Sequence, residues 1–329
     1  MDNYQCGDIE AIAMLRDLTE RPFAVEPMSY AAGCAFIDDD YVSLRDAKLP
    51  LMDWGFTRGD ACQDTISVRG GNFFRLHDHV VRFEDSCRTL RYACPFTREQ
   101  IVSVMRECVR RTGLTEATVQ IIMTRGAGPT GSRDPRECRH RFMAYCVPFI
   151  TVAKAEQLAQ GLSVHISNRW RLPSETVPSE IKNYHWIDFT LALFDAYEHD
   201  CDSALLLGKH GLITEGPGFN VFALFDDRLV TPGENVLAGI TRRTVFELCV
   251  ELGIRHREGP LLPEDLARAS EIFASTTAGG LVPIVRIDET TIGDGGPGPL
   301  TSRLRDLYWR KRDAGWYATP VYEELENGE

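Results

Sequence analysis

The sequence predicts an α/β fold of two domains, and three observations support this prediction. At 329 residues the chain is longer than a typical single domain. Residues 31–152 combine strand-like runs with two amphipathic helices, and residues 161–329 alternate helices with short strands. The pattern changes at "TVAKAEQLAQG", which places an interdomain linker at 153–160. We therefore expect a smaller N-terminal α/β domain and a larger C-terminal domain.

The first predicted domain opens with a β-rich segment. It follows an extension, residues 1–30, that carries a short amphipathic helical pattern over 8–18. In "TISVRGGNFFRL" two strand-like runs flank Gly70-Gly71, a dipeptide typical of hairpin turns. Apolar residues at helical spacing then predict a helix that starts at Asp78.

A second helix of this domain has clear ends. Thr97 and Gln100 have the spacing of a capping box, and Gly113 follows the last apolar residue of the helical face. "TVQIIMTRG" and "RFMAYCVPFI" are predicted strands on either side of the loop "GAGPTGSRDPRECRH". This loop is rich in Gly, Pro and Arg, and it is a candidate mobile lid over a site.

The second predicted domain alternates helices with strands. The helices are predicted at about 184–198, 241–252, 263–269 and 300–314, and the strands at about 204–208, 219–225, 271–275 and 282–288. This alternation is typical of a domain in which helices cover a sheet.

Composition excludes several classes of protein. A formal net charge of −12 argues against nucleic acid or an anionic membrane as the main partner. The ten cysteines contain no C-x-x-C pair, which is typical of reduced thiols rather than of a disulfide framework or a zinc site. The N-terminus lacks the apolar run of a secretory signal, and no stretch reaches the ~18 apolar residues of a membrane span. We expect a soluble, cytoplasmic protein.

Lys182 is the first candidate for chemistry. It lies in "SEIKNYHWID", where Glu180 and Asp188 are the only acidic neighbours. Most lysines are solvated surface residues, so the position alone decides nothing. Three glycine-rich turns follow: "TEGPGFN" (214–220), "LAGITRR" (237–243) and "STTAGG" (275–280). None has Rossmann or Walker A spacing, but the last two offer backbone N–H groups and hydroxyls to a phosphate.

A lone lysine, an acid on a tight turn and a phosphate-binding turn together meet the needs of pyridoxal phosphate chemistry. The lysine must form a Schiff base and move a proton, which requires a less polar setting. The acid, Glu215, would pair with the ring nitrogen so that the ring accepts electrons. The phosphate needs N–H groups, hydroxyls and usually an arginine.

These motifs, in this order, resemble the fold-type IV pyridoxal-phosphate enzymes. The resemblance rests on "LHDHVVRFEDS", "IKN", "TEGPGFN", "LAGITR", "STTAGG" and "IGDGGPGPLT", and it spans roughly residues 40–310. The family includes branched-chain and D-amino acid aminotransferases, aminodeoxychorismate lyases and (R)-selective amine transaminases. It implies two α/β domains with the cofactor between them, and a homodimer in which the partner's loop completes the site.

The resemblance also implies roles for individual residues. Lys182 would be the Schiff-base and proton-transfer lysine, Glu215 the partner of the pyridine nitrogen, and Arg82 a ligand of the phosphate. The other implied cofactor contacts are Leu237, which packs on the ring, and Ile240, Thr241, Thr276 and Thr277 in the phosphate-binding turns. Pro217 departs from the serine or threonine common in the family, and we expect it to stiffen its turn without abolishing cofactor binding.

The predicted substrate residues come from a closer resemblance. "MDWGF", "MTRG" and the segment Lys182–Trp186 look most similar to the (R)-selective amine transaminases, which pass the amino group of a primary amine to pyruvate. A guanidinium on a mobile loop suits a keto-acid carboxylate. The predicted substrate residues are Arg58, Gln63, Thr65, Gln120, Arg133, Arg136 and Trp186. Gln63, Thr65 and Gln120 replace residues usual in that subfamily, and they leave room for a polar amine or an amino acid.

Other candidate sites are weaker. His77 and His79 could bind a metal, but a strand-to-helix corner with Asp78 as N-cap is favoured, so we expect no metal. His185 is predicted to be structural. Nothing near Cys62 favours a thiolate, so a catalytic thiol is not expected.

The main functional prediction is a pyridoxal-phosphate transaminase with a ping-pong cycle. Its donor would be a primary amine, (R)-configured by resemblance, or an amino acid, and its acceptor a keto acid such as pyruvate. A D-amino acid or branched-chain aminotransferase, an aminodeoxychorismate lyase and a scaffold that only binds the cofactor are alternatives. A transaminase needs an acceptor keto acid, whereas the lyase and the scaffold do not.

Overall fold

The computed structural model describes residues 30–322, which form two compact units. The first unit contains residues 30–150, 182–184 and 315–322, and the second contains 151–181 and 185–314. The helix predicted at 8–18 lies outside the described residues. The segment predicted as a linker, 153–160, carries a short helix of the second unit.

The first unit is built on a seven-stranded sheet whose neighbouring strands all run antiparallel. Its strands are β1 (Cys34–Ile37), β2 (Asp40–Ser43), β3 (Ala61–Arg69), β4 (Asn72–Phe74), β5 (Ala117–Ala127), β6 (Arg139–Pro148) and β16 (Ala318–Pro320). Their order is β16-β4-β3-β5-β6-β1-β2. The predicted hairpin is confirmed, since Gly70 and Gly71 join β3 to β4 with φ of 55° and 71°, a region that favours glycine.

The described helices of the first unit are α1 (Trp54–Thr57), α2 (Leu76–Thr89) and α3 (Arg98–Thr112). The capping box of Thr97 and Gln100 is confirmed at the start of α3. The prediction that α2 starts at Asp78 was wrong, because Arg75 (φ 53°) turns the chain and the helix begins at Leu76. Asp78 is therefore not the N-cap, and its carboxylate accepts a hydrogen bond from Arg75 Nε at 2.7 Å.

The second unit is built on a mixed sheet of nine strands. These strands are β7 (Leu162–Trp170), β8 (Ser203–Leu207), β9 (Glu215–Gly216), β10 (Phe219–Phe225), β11 (Arg228–Thr231), β12 (Arg255–Glu258), β13 (Glu271–Thr276), β14 (Gly280–Ile287) and β15 (Thr290–Thr291). The main order is β12-β11-β10-β13-β14-β7-β8, with β9 paired to β10 and β15 to β14. Strand β7 runs parallel to β8 and β14, and β11 runs parallel to β12.

The described helices of the second unit are α4 (Ala155–Gln160), α5 (Ile187–Glu198), α6 (Ile240–Leu252), α7 (Pro263–Leu266) and α8 (Pro299–Asp313). The helix predicted at 184–198 begins at Ile187, and the one predicted at 263–269 ends at Leu266. The sheets and helices together confirm the predicted α/β fold class. Within residues 30–322, no helix combines the length and the apolar character that crossing a membrane requires.

A buried carboxylate fixes the start of α8. Glu271, the first residue of β13, accepts hydrogen bonds from Leu300 N–H at 2.9 Å and from Thr301 N–H and Oγ1 at 2.7 Å each. Gly298 lies so close that a Cβ there would be 2.1 Å from Glu271 Cδ. The first N–H groups of a helix lack intrahelical acceptors, so Glu271 acts here as an N-cap side chain does in other helices.

We expect Glu271→Ala to lower the free energy of unfolding by about 2–3 kcal/mol, because it leaves buried donors without an acceptor. Urea denaturation of the full chain measures this change. Glu289→Ala is the matched control, since Glu289 is exposed and its loss should change stability little. A Glu271→Ala variant as stable as the control would show that the carboxylate does not cap α8.

Candidate functional site

Lys182 lies at an open edge of β3. Strand β4 pairs only with Val68 and Arg69, the last two residues of β3. The earlier residues of β3 therefore have no partner from β4 on this edge. The lysine segment uses this edge: Gln63 N–H donates to the Lys182 carbonyl at 2.8 Å, and Asn183 forms an antiparallel bridge with Cys62. In that register Gln63 stands opposite Lys182, so the fold fixes the backbone of the lysine beside β3.

The face of β3 that packs on α2 carries a buried charge cluster. Asp64 is fully buried and accepts hydrogen bonds from Arg82 Nε at 2.8 Å and from Arg82 Nη2 at 2.9 Å. His79 Nδ1 lies 2.7 Å from Asp64 Oδ1. Arg82 and His79 both come from α2, so one carboxylate of the strand orients the guanidinium that is predicted to bind the phosphate.

The protonation states in this cluster follow from burial and from the neighbouring charges. Burial raises the pKa of Asp64, but the charge of Arg82 and the hydrogen bonds from His79 and Arg82 outweigh burial, so the pKa lies below its ordinary value and Asp64 is ionised. Burial lowers the pKa of His79, and the charges of Arg82 and Lys182 reinforce this shift against the opposing effect of Asp64. His79 is therefore neutral, and its contact with Asp64 is a hydrogen bond rather than an ion pair.

The opposite face of β3 carries a polar ladder, which consists of Gln63, Thr65, Gln120 and Tyr145. Thr65 pairs with Gln120 across β3 and β5, and Gln120 pairs with Tyr145 across β5 and β6. Tyr145 OH donates to Gln120 Oε1, Gln120 Nε2 donates to Thr65 Oγ1 at 3.2 Å, and Thr65 Oγ1 donates to Gln63 Oε1 at 2.9 Å. The structure thus brings together three predicted substrate residues and adds Tyr145.

The three predicted arginines have different surroundings. Arg136 donates from Nη2 to Asp134 at 2.5 Å and from Nε to both Asp134 oxygens at 2.9 and 3.0 Å. The guanidinium of Arg58 lies over the Trp54 ring, 3.6 Å from its centroid, in a cation–π contact. Arg133 is exposed and makes no hydrogen bond or ion pair with any residue of the described range 30–322. Of the two loop arginines, Arg133 is the one available to a ligand.

In the second unit, Glu215 is a buried carboxylate held by several donors. Arg171 Nε lies 3.2 Å from its Oε1, and Leu237 N–H and Asn220 Nδ2 lie 3.0 and 3.3 Å from its Oε2. Arg171 also donates to Asp188 Oδ2 at 2.5 Å. These donors hold the negative charge of Glu215 in one place, as an acid that pairs with a cationic ring nitrogen requires.

The first predicted phosphate-binding turn packs tightly on Asn220. Asn220 Nδ2 donates to the Leu237 carbonyl at 3.0 Å, and a Cβ at Gly239 would lie 2.2 Å from Asn220 Oδ1. Helix α6 starts after Gly239 without a side-chain cap, and Ile240 and Thr241 are buried in its first turn. The N–H groups at a helix start carry partial positive charge, so anion binding at this turn stays a prediction that the geometry allows.

In the second predicted phosphate-binding turn, residues 275–280, one threonine hydroxyl already bonds to the protein backbone. Thr276 Oγ1 donates to the Gly218 carbonyl at 2.9 Å and accepts from Ala278 N–H at 3.2 Å. Thr277 is half-buried. Ser275 is 2% exposed, and its Oγ has no hydrogen-bond partner among the described residues. The sequence pointed to the two threonines and not to this serine.

Pro217 occupies a position that suits proline. Gly216 of β9 pairs with Phe219 of β10, so Pro217 and Gly218 form a two-residue turn, with Gly218 at φ 84°. Proline there removes no ladder hydrogen bond, and glycine tolerates the positive φ. Trp186 precedes α5, is 38% exposed and would be 3.6 Å from a Cβ at Gly218.

The sequence His77-Asp78-His79 is not arranged as a metal site. His77 is exposed, Asp78 accepts from Arg75, and His79 bonds to Asp64. Within residues 30–322, no group of three or more His, Cys, Asp and Glu side chains is placed to hold a metal ion.

Several residues of this arrangement were not identified from the sequence. Asp64 and Asn220 had a detectable signal, since each is polar within an otherwise apolar strand and a buried polar group needs partners. His79 was assigned to the corner before α2 instead. Arg171 and Tyr145 had no local signal, because their partners are far away in sequence.

Comparisons with known proteins find one matching family. The class IV aminotransferase family matches residues 61–287. A putative branched-chain-amino-acid aminotransferase of Methanocaldococcus jannaschii is 31% identical over 292 residues, which cover 88% of this chain and 99% of that protein.

Solved structures of similar fold are also branched-chain amino acid aminotransferases. The Escherichia coli branched-chain amino acid aminotransferase is similar with a TM-score of 0.84 at 27% identity, over 88% of this chain and 100% of that one. The branched-chain amino acid aminotransferase of Thermobaculum terrenum in its PLP holo-form gives a TM-score of 0.80 at 25% identity, over 90% and 100%.

We expect the chain to lose stability as the pH falls below about 6.5, because of His79. Its pKa is lowered in the folded chain, whereas unfolding restores the ordinary value. Between these two pKa values the unfolded state binds one more proton, so the free energy of unfolding falls by about 1.4 kcal/mol per pH unit as the pH decreases.

Urea denaturation across this pH range measures the effect of His79. His79→Gln should remove this part of the slope, and His77→Gln, at an exposed position, should retain it. Equal slopes for the two variants would contradict the assignment of a buried neutral imidazole.

Proposed function

Because the chain belongs to the class IV aminotransferase family and is a pyridoxal-phosphate-dependent aminotransferase, we propose that it moves an amino group from an amino acid to a 2-keto acid, with Lys182 as the catalytic lysine. The position of Lys182 beside β3 is the observation that supports this proposal. Its carbonyl is held by Gln63 N–H on β3, the strand that also bears Asp64 with its partner Arg82 and the polar ladder.

The residues present fit the cofactor. Ser275 Oγ is buried without a partner among residues 30–322, as expected where a bound group supplies the missing hydrogen bond. The N-terminus of α6 lacks a side-chain cap, which leaves its N–H groups for an anion such as a phosphate. In the first unit we propose Arg82 as a phosphate ligand, as the family resemblance implies. The proposed cofactor contacts of the second unit are Leu237, Ile240, Thr241, Thr276 and Thr277.

Glu215 and Lys182 have distinct proposed tasks. When bound, pyridoxal phosphate supplies an aldehyde carbon that carries the amino group and a ring that accepts the electron pair left at the substrate Cα. Glu215 would pair with the ring nitrogen, and Leu237 N–H, Asn220 and Arg171 hold its carboxylate in one place for this role. Lys182 Nζ would take the proton from the substrate Cα as a general base and deliver it, as a general acid, to the cofactor carbon that carries the amino group.

A different donor class is the second candidate. The resemblance of Lys182–Trp186 to (R)-selective amine transaminases favours an (R)-amine as donor and pyruvate as acceptor. The polar ladder instead favours a substrate with polar groups, because the Gln63 amide nitrogen at its end has no hydrogen-bond partner among residues 30–322. The amino acid is therefore the first candidate.

We propose a homodimer, as the family resemblance implies. Helix α5 buries Phe189 and Ala192 but exposes an apolar stripe, in which Ile187 is 77% exposed. The other members of this stripe are Leu191, Phe194 and Tyr197. Such an exposed apolar surface is typical of an interface, and a second copy of the chain is the proposed occupant.

Arg133 is the expected carboxylate ligand of the loop. We expect Arg133→Ala to raise KM for the 2-keto acid about 10-fold or more, because it removes a charge-assisted pair, with a smaller change in kcat. Arg136→Ala is the matched control, since Asp134 already binds that guanidinium. Steady-state kinetics with both variants test this, and equal effects would contradict the distinction between the two arginines.

The amino donor is tested by the visible absorbance of the cofactor-loaded protein. L-glutamate, L-leucine, D-alanine and (R)- and (S)-1-phenylethylamine are added singly without an acceptor. We expect an amino acid to remove the yellow absorbance and a 2-keto acid to restore it. Loss with the (R)-amine alone would replace the first candidate by the second, and no loss with any donor would reject the proposed transfer.

Lys182 is tested in the same system. We expect Lys182→Ala to lower the rate of this change at least about 1,000-fold, because the base at the substrate Cα is lost. Borohydride treatment should attach the cofactor to the peptide that contains Lys182. Lys154→Ala, at an exposed position, is the control. Cofactor attached to another lysine would contradict the assignment.

A further inference from the structure

The hydrogen bonds of the polar ladder all run in one direction, from donor to acceptor, and the first donor is Tyr145. Burial raises the pKa of Tyr145, so its phenol is protonated and donates to Gln120 Oε1. Gln120 must then present its amide nitrogen to Thr65, whose single hydroxyl proton goes to Gln63 Oε1. Each hydrogen bond determines which atom of the next side chain donates and which accepts, so the orientation of the Gln63 amide at the end of the ladder is determined as well.

The ladder ends on the amide nitrogen of Gln63. With Oε1 occupied by Thr65, the amide nitrogen is the group that Gln63 has left to offer. Gln63 is 4% exposed, and its Nε2 has no hydrogen-bond partner among residues 30–322. The Nε2 atom itself is reached by solvent, so water can serve it in the free protein. A ligand that displaces this water without supplying an acceptor leaves the N–H₂ group unpaired and loses affinity.

Gln63 is also next to the catalytic lysine. Its N–H binds the Lys182 carbonyl, and the antiparallel bridge of Cys62 with Asn183 sets Gln63 opposite Lys182. Opposed residues of such a pair have Cβ atoms roughly 4.5–5.5 Å apart on the same face. A substrate held at Lys182 therefore comes within reach of the Gln63 amide.

We propose that Gln63 selects substrates whose side chain ends in an oxygen acceptor, a carboxylate or a carboxamide, over those with an aliphatic side chain. This inference rests on the proposed function and gives its amino acid a chemical class. An aliphatic side chain against Gln63 leaves the N–H₂ group unpaired, which corresponds to a loss of roughly 10- to 100-fold in affinity. An oxygen acceptor removes that loss.

Binding of unreactive acids tests the inference without amino transfer. Glutarate, glutaramate and 4-methylpentanoate share one carboxylate and differ at the other end, and each is titrated against the cofactor-loaded protein by its visible absorbance. We expect glutarate or glutaramate to bind at least about 10-fold more tightly than 4-methylpentanoate. Gln63→Leu should abolish this preference, and Gln160→Leu, at an exposed position of α4, should retain it.

Gln63→Glu separates the two acceptor classes. A carboxylate at this position repels glutarate but accepts hydrogen bonds from the amide of glutaramate, so the ratio of their affinities should shift towards glutaramate. Tyr145→Phe leaves Gln63 in place and removes the donor that directs the ladder, so it should reduce the preference even if Gln63→Leu does not fold.

The outcomes separate this inference from the proposed function. A preference for 4-methylpentanoate in the wild type, or a Gln63→Leu effect equal for all three acids, would overturn the role of Gln63, since an equal effect means contact with the shared carboxylate. Failure of every amino donor to change the absorbance would instead reject the proposed transfer, while the binding ratios still decide the class of acid that the site prefers.

Discussion

The hydrogen bond from Gln63 N–H to the Lys182 carbonyl ties the proposed catalytic lysine to β3, and the arrangement of its neighbours in the first unit follows from it. Successive side chains of a strand point to opposite faces. Asp64 therefore faces α2 and orients Arg82, while Gln63 and Thr65 face away from α2 and join the polar ladder. One short stretch of strand thus contacts the proposed catalytic lysine, orients the arginine proposed to bind the phosphate, and contributes two residues to the polar ladder.

Charge burial follows the same rule in both units. Asp64 and Glu215 are nearly or fully buried, and each is held by an arginine and by further donors. Removing a partner from such a group leaves a desolvated charge, which costs far more than a surface ion pair contributes. The contrast with Arg136 and Asp134 is clear, because that pair lies on an exposed loop and either partner can be solvated.

Local patterns in the sequence predicted most of the elements, and the resemblance of its motifs predicted the family. The Gly70-Gly71 hairpin, the Thr97 capping box and the fold class are confirmed, because each depends on residues close together in the chain or on overall periodicity. The predicted start of α2 was wrong because Arg75 adopts a left-handed backbone conformation that no local sequence pattern indicated. The Arg171–Glu215 contact joins residues far apart in sequence, and only tertiary packing brings them together.

The contact between Glu271 and Gly298 has a consequence for how this fold can change over evolution. Glu271 occupies the space that a side chain at Gly298 would need, since a Cβ there would be 2.1 Å from Glu271 Cδ. A larger residue at position 298 is compatible with α8 only if position 271 becomes smaller and another acceptor serves Leu300 and Thr301. The two positions are therefore expected to vary together among related sequences, although they lie 27 positions apart in the sequence and neither is proposed to touch a ligand.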